Sequence, residues 1–253
     1  MGRKYWYRRE SKLYKNQLFI KNKHLTSHVP ETYKFSKFSF WKMLHKHQEV
    51  IVKPLIGFGG KNVIKISKLN EKVFEVHNGR NKKVIKERKN LELYLHKMKK
   101  GKHPYIVQYF IPLASVNKKP IDFRYIVQRK GMNSDWVITG KYAKIARAGL
   151  VTTNLKKGAR VVTVKKALEK SNIKNSNVNK LIADLDSVAL NAVKSLTTSF
   201  PKRTIWGIDL AVDKSGKVWI IEANSLPGIR GFRKLSDLRM YRTIKKYKAY
   251  NND

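Results

Sequence analysis

Apolar residues follow two periods along this chain. Alternating or continuous short runs mark strands. Glu49-Val-Ile-Val-Lys53-Pro54 reads as a strand stopped by proline, and residues 62–66, 73–78 and 82–86 read as three more, with Asn78-Gly79 as a turn signal. Residues 105–111, 121–129 and 136–145 continue the series. The second period is helical. Leu91, Tyr94, Leu95 and Met98 recur at i, i+3, i+4 and i+7 before Gly101, and a longer stripe runs from Val178 through Leu185 to Leu196. Residues 35–47 suit a helix or an irregular lead-in, residues 146–160 read as a loop, and Leu235, Leu238 and Tyr241 could anchor a last helix. Antiparallel runs with few helices between them predict an α+β protein rather than a doubly wound sheet.

The most informative stretch is Trp206-Gly-Ile-Asp209-Leu followed by Trp219-Ile-Ile-Glu222-Ala-Asn224-Ser-Leu-Pro-Gly. It reads as a hairpin turning at residues 213–216, which sets Val212 opposite Lys217 and Asp209 opposite Ile220. Side chains two apart share a strand face, so Glu222 and Asn224 join Asp209, with Glu222 on the diagonal roughly 7–8 Å away. Two carboxylates and an amide oxygen form an oxygen-only ligand set of the kind that suits Mg2+. The competing reading is a solvated edge hairpin, but the apolar neighbours Trp206, Ile208, Leu210, Ile220 and Ile221 make unpaired acids there costly.

Other constellations are weaker by themselves. Lys53 before Gly57, Gly59 and Gly60 could cradle a phosphate, because glycines let backbone N–H groups approach an anion; a plain hairpin loop fits equally. Asp122 and Arg124 share a strand face, where an exposed ion pair is the ordinary outcome. Arg147 and Asn154 lie in the loop-like stretch. His45 and His47 lack further zinc-ligand spacing, and no Gly-x-Ser-x-Gly marks a serine hydrolase.

Composition narrows the picture further. With 56 Lys+Arg against 17 Asp+Glu, the formal charge is +39 over 253 residues, far outside the range of about 2–8 that suits a small domain. A polyanionic partner, nucleic acid or an acidic polymer, is one reading; a solubilising surface is the other. Tyr5, Trp6 and Tyr7 among Arg3, Lys4, Arg8 and Arg9 could stack RNA bases and contact phosphates, or form an ordinary basic tail. The absence of cysteine excludes disulfides, thiolate catalysis and cysteine-ligated zinc. No apolar run reaches membrane-span length and the N-terminus lacks a signal-peptide core, so a cytoplasmic protein is expected.

Taken in order, these pieces resemble an ATP-grasp enzyme. Val-Ile-Val-Lys53-Pro54 and its glycine loop resemble the first nucleotide-binding strand pair; Tyr105-Ile-Val-Gln108-Tyr109-Phe110-Ile111 resembles the adenine-lining hinge; Ile121-Asp122-Phe-Arg124 matches an Asp-x-Arg strand; and Gly207-Ile-Asp209 with Glu222-Ala-Asn224-Ser-Leu-Pro-Gly matches the paired metal motifs. Arg147 with Thr153-Asn154-Leu155 and Gly158 is similar to the loop of the ribosomal-protein glutamate ligase (RimK-type) branch. Val29-Pro-Glu-Thr32, the Lys-Pro-glycine segment and the Gln108 hinge with Asp122-Phe-Arg124 bring the chain closest to the endospore coat-associated YheC/YheD group.

The resemblance implies an α+β fold of two subdomains clasping a nucleotide between antiparallel sheets. Residues 1–48 would form a basic lead-in, 49–111 the small subdomain, and 112–253 the large one with the metal site and basic tail. It implies that ATP phosphates are held by Lys53 and the loop at Gly57, Gly59 and Gly60, and adenine by Gln108, Tyr109, Phe110 and Ile111, with Asp122 also cofactor-binding. One or two Mg2+ ions would be held by Asp209, Glu222 and Asn224, while Arg124, Arg147 and Asn154 serve catalysis. The implied reaction is carboxylate activation to an acyl phosphate, then attack by an amine; with the +39 charge added, the expected substrate is an acidic peptide or polymer. Two alternatives are a nucleotide-binding, spore-coat-associated structural protein and a ligase with an RNA- or tRNA-linked substrate. The short stretch before Lys53 leaves a role for a protein partner supplying an N-terminal domain.

Overall fold

The structure, a computed structural model, describes residues 10–57, 62–98, 104–147, 149, 153, 155, 158–173 and 177–251. Helix α1 (Lys12–Ile20) and a 3₁₀ turn (Thr26–His28) open the described chain. The chain then divides into two compact units. One comprises Met1–Tyr14, Pro30–Ile111 and Gly149–Thr152; the other comprises Lys15–Val29, Pro112–Ala148 and Thr153–Asp253.

The first unit is a six-stranded antiparallel sheet of β1 (Thr32–Lys34), β2 (Glu49–Pro54), β3 (Ile64–Lys68), β4 (Val73–Asn78), β5 (Asn81–Lys86) and β6 (Tyr105–Tyr109), in the order β1-β6-β2-β3-β4-β5. Helices α2 (Lys37–His47) and α3 (Arg88–Met98) supply its helical layer. Strand alternation sorts its side chains by face. Val50, Val52, Ile64, Ile66, Phe74, Val76 and Val107 join Phe40, Met43, Leu44, Leu91 and Leu95 in one core. The opposite face carries Lys53, Lys65 and His77.

Residues 35–47 resolve as a helix because Ser36 and Ser39 form a reciprocal cap: each hydroxyl accepts from the other's backbone N–H, at 3.0 and 2.8 Å. The strand expected over 62–66 lies instead at Ile64–Lys68, since Asn62 adopts the left-handed conformation (φ +55°) and stays outside the ladder. The Asn78-Gly79 turn forms as expected: Asn78 pairs with Asn81 across the tip, and Gly79 takes φ +63°.

The second unit holds a sheet in the order β10-β9-β8-β11-β12, formed by β8 (Lys119–Gln128), β9 (Val137–Ile145), β10 (Arg160–Val162), β11 (Ile205–Val212) and β12 (Val218–Asn224); short β7 (Ser115–Val116) pairs with β8. Helices α4 (Val164–Glu169), α5 (Val178–Thr197) and α6 (Arg239–Tyr250) complete it. Leu181, Leu185, Val188, Ala192, Val193 and Leu196 of α5 share one core with Phe123, Tyr125, Trp206, Ile208 and Leu210. This packing is the expected helical stripe against the expected strands, and each fully buried side chain contributes about 1.5–3 kcal/mol before chain entropy is counted.

The other sheet face is part apolar and part charged. Its apolar part packs Ile126 and Tyr142 against Phe232, Leu235 and Ile244. Gly140 permits the contact: a Cβ there would lie 2.6 Å from Phe232 and 2.8 Å from Ile244. The last helix therefore docks through Ile244 rather than through Leu238, which is 36% exposed. Sequence periodicity missed α1, α4, β1, β7 and β10, all too short to show a period of their own. Among the described residues no helix is long and apolar enough to cross a membrane.

Candidate functional site

The charged part of the second sheet is built by register. Asp213 closes the β11–β12 turn: its Oδ1 accepts from Ser215 N (2.9 Å), Ser215 Oγ (2.6 Å) and Lys217 N (3.1 Å), and its Oδ2 from Trp219 Nε1 (2.7 Å). Gly216 takes φ +91° in that turn, and Val212 pairs with Val218. This corrects the expected pairing of Val212 with Lys217. A bulge at Ile221 then moves Glu222 directly opposite Asp209, where Ile220 was expected, and Asn224 opposite Gly207. Asp209, Glu222 and Asn224 share one face.

Neighbouring strands complete the row. Arg124 lies opposite Asp209 across β8–β11, and Lys144 opposite Asp122 across β8–β9. Arg124 forks onto Asp209, Nε to Oδ1 at 2.9 Å and Nη2 to Oδ2 at 2.8 Å. Lys144 Nζ stands 3.3 Å from Asp209 Oδ1 and 2.9 Å from Asp122 Oδ1. Asn224 Nδ2 donates to Asp209 Oδ2 at 3.2 Å, and the Thr153 hydroxyl donates to Asp122 Oδ2. Asp122 and Arg124 are thus not an exposed pair; each is partnered across strands. Gly207 makes room for the fork, since a Cβ there would lie 2.5 Å from Pro227 and 3.0 Å from Arg124 Nη1. From α1, Lys15 Nζ donates to the Ala223 carbonyl at 3.0 Å, bracing β12 between Glu222 and Asn224.

Burial and charge divide the two aspartates. Burial alone raises both. At Asp209, Arg124 and Lys144 outweigh it and hold the carboxyl below the usual range. At Asp122 burial wins over Lys144, and the carboxyl is raised. Lys144 is pushed up to about 12: burial opposes its charge, but Asp122 and Asp209 more than compensate.

Among the described residues no group of three or more His, Cys, Asp or Glu side chains could hold a metal ion. The Asp209–Glu222–Asn224 set, two carboxylates and an amide, is chemically suited to Mg2+. Both Asp209 oxygens already accept from Arg124, so a cation would take over part of that contact. His45 and His47 do not share a site: His45 meets Arg88 Nη2 at 3.0 Å and His47 meets Glu31 Oε2 at 2.7 Å.

On the first unit, Lys53 is 7% exposed and donates to Gln108 Oε1 at 2.7 Å. Gln108 Nε2 donates to Thr32 Oγ1 at 2.7 Å, and Thr32 Oγ1 to the Pro30 carbonyl at 2.7 Å. Phe110 lies beneath Lys65, whose Nζ is 3.9 Å from the ring centroid and 2.6 Å from Glu49 Oε1. Tyr109 turns to the other face, its ring 4.7 Å from that of His47. The N–H groups of Tyr109 and Phe110 donate to Glu31 O and Glu49 O, and Ile111 is buried. The Gly57 carbonyl accepts from Lys12 Nζ at 3.0 Å. Gly59, Gly60 and Asn154 lie outside the described residues. Arg147 is exposed, on the second unit beside Gly158. Lys144 and Lys15 escaped the sequence reading, while Thr153 and Thr32 stood in the family-like segments without a role of their own. Of the first two, only Lys144, a lysine set among Tyr142, Ala143 and Ile145, offered a signal.

Two antiparallel sheets, each with its own helices, give an ATP-grasp protein with a ligase-type fold. The chain belongs to the YheC/D like ATP-grasp family, whose family model matches residues 7–250. It is 25% identical over 217 residues to the endospore coat-associated protein YheC of Bacillus subtilis (strain 168), covering 84% of this chain and 58% of YheC. To YheD of the same organism it is 26% identical over 188 residues, covering 72% of this chain and 40% of YheD. The chain therefore spans between two-fifths and three-fifths of these relatives' length. Among solved structures it is similar in fold to the ATP-grasp ligase PsnB complexed with a phosphomimetic variant of minimal precursor, Mg and ADP. That match has a TM-score of 0.55 and 13% identity, covering 96% of this chain and 59% of PsnB.

Proposed function

We propose that this protein is an ATP- and Mg2+-dependent carboxylate–amine ligase that works through an acyl phosphate on an acidic peptide or polymer. The observation that carries the reading is the row Arg124–Asp209–Asn224, with Glu222 opposite Asp209. Asp209, Glu222 and Asn224 hold Mg2+, and Arg124, once part of its contact with Asp209 is given up, offers its guanidinium to phosphoryl oxygens. Bound Mg-ATP supplies the phosphoryl group that activates the carboxylate. Lys144 and Asp122 keep Asp209 and Arg124 in place. Arg147 and Asn154 assist at the phosphoryl oxygens.

On the first unit, Lys53 takes phosphate charge, steered by Gln108, and Gly57, Gly59 and Gly60 share the phosphate-binding role. The segment from Gln108 through Tyr109 and Phe110 to Ile111 borders the adenine, with Asp122 of the second unit acting through its partners. Phosphoryl transfer of this kind needs positioning and positive charge rather than a side-chain nucleophile, which suits a chain without cysteine.

The test combines purified protein, Mg-ATP, a panel of Glu- and Asp-rich peptides and free amino acids. ADP release that depends on the acceptor, with a product heavier by one condensed amine, is expected. ATP binding without acceptor-dependent ADP on any member sinks the ligase reading. It would leave the second one, a nucleotide-binding protein of the spore coat, a reading favoured by the name of the relatives YheC and YheD.

A further inference from the structure

Helix α6 carries Arg239, Arg242, Lys245, Lys246 and Lys248 and no acid. Ile244 faces the core, so Arg242, Lys245 and Lys246 project from the solvent side. Asp237 lies just before the helix and is taken by Arg239 at 2.7 Å. Among the described residues, Arg242, Lys245, Lys246 and Lys248 make no ion pair. The far end of the helix is aromatic. Asn251 fixes the turn at 129–131 there, accepting from Gly131 N at 2.9 Å and donating to Arg129 O at 2.9 Å. That places Lys130 Nζ 5.6 Å from the Tyr247 ring and 5.7 Å from the Tyr250 ring, and Tyr250 remains 59% exposed.

We propose that this face of the second unit, Arg242, Lys245, Lys246 and Lys130 leading to Tyr250, binds single-stranded nucleic acid. Arg242, Lys245 and Lys246 span about 6 Å of a helix rising 1.5 Å per residue, and with Lys130 beside Tyr250 the face runs about 12 Å from Arg242, a length that two or three successive phosphates match. Charge alone would serve an acidic polypeptide equally. The tyrosines decide between them: a carboxylate has no use for an exposed ring, whereas a base stacks on it and the neighbouring cation holds its phosphate. Binding here uses none of the residues of the acid–amide row, so it does not depend on the ligase reading.

The test is fluorescence anisotropy of the full chain with a labelled 20-nucleotide oligo(U), across a salt series. Two or three phosphate contacts predict a log–log salt slope near −2. Arg242→Glu/Lys246→Glu should weaken binding about tenfold or more and bring the slope to about −1. Tyr250→Ala should weaken it about tenfold with the slope unchanged, the mark of lost stacking rather than lost charge. A matched reversal on the first unit, Lys83→Glu/Lys86→Glu, should have little effect. Circular dichroism confirms that each variant is folded. The proposal is overturned if poly-glutamate of equal charge competes as well as unlabelled oligo(U), or if the first-unit reversal weakens binding as much as the α6 reversal. Binding unchanged in the folded α6 variant overturns it too.

Discussion

Arg124 and Asp209 face each other across β8 and β11, and the guanidinium takes both carboxylate oxygens, at 2.9 and 2.8 Å. Both groups are largely removed from water, with side-chain exposures of 16% and 10%. A buried pair of this kind adds little over a well-packed apolar pair, but losing one partner strands the other. Arg124→Leu is therefore expected to cost about 3 kcal/mol, at the low end for such losses because Lys144 still attends Asp209. The double variant Arg124→Leu/Asp209→Leu should recover part of that cost. Urea denaturation of the four corners of the cycle measures it. A double variant less stable than Arg124→Leu would show that the aspartate is not the stranded charge.

Gly207 is a second lever on the same pair. Its α-carbon sits where a methyl group would lie 2.5 Å from Pro227 and 3.0 Å from Arg124 Nη1. Proline is stiff and the guanidinium is held, so neither neighbour yields cheaply. Gly207→Ala should destabilise by about 1–3 kcal/mol, as overpacking does. It should also reduce acceptor-dependent ADP release more than it reduces nucleotide affinity, because it displaces Arg124 rather than an oxygen ligand. Equal losses in both measurements would point to general unfolding instead.

These two cases show what the chain reveals before it folds. The Gly207-Ile-Asp209 and Glu222-Ala-Asn224 segments announce a ligand set, because acids are rare here and alternation puts them on one face. Their register was not legible. It depends on the Asp213-capped turn and the Ile221 bulge, each a local backbone choice that shifts pairing without changing the hydrophobic pattern. Lys144 could not be assigned to Asp122 and Asp209 from sequence, since nothing in a periodicity says which strand lies beside which. The long stripes of α3 and α5 were plain for the opposite reason: a helix buried on one face repeats its signal several times. Lys15 reaches Ala223 from 208 residues away, a contact only the folded chain defines.

On the first unit, Gln108 joins Lys53 to Thr32 through two 2.7 Å hydrogen bonds. Replacing it with leucine removes the acceptor that orients a nearly buried ammonium group, so that ammonium is no longer held in its present position. Gln108→Leu should weaken ATP binding about tenfold, equivalent to about 1.4 kcal/mol, with a smaller effect from Thr32→Val. Isothermal titration with a non-hydrolysable ATP analogue measures both. Undiminished affinity in Gln108→Leu would detach Lys53 from the phosphate role proposed for it.

Glu31 supplies a pH test that needs no substrate. Its carboxylate receives Lys46 Nζ at 2.8 Å, His47 Nε2 at 2.7 Å and the Tyr33 hydroxyl at 3.0 Å. Burial by itself would raise its pKa, but the hydrogen bonds from Lys46, His47 and Tyr33 outweigh it and bring the group from 4.5 to about 2. A depressed folded-state pKa means that between these two values the unfolded chain binds more protons than the folded one, so stability rises with pH. The contribution is whole above about pH 4.5 and is lost as pH falls towards 2. The side chain is 26% exposed, so solvent screening limits the gain to about 1 kcal/mol. At pH 7, Glu31→Gln should therefore unfold its unit about 1 kcal/mol more easily than the unaltered chain, and the gap should close on acidification to pH 2.5. A gap that stays constant over that range would assign the loss to packing and not to charge.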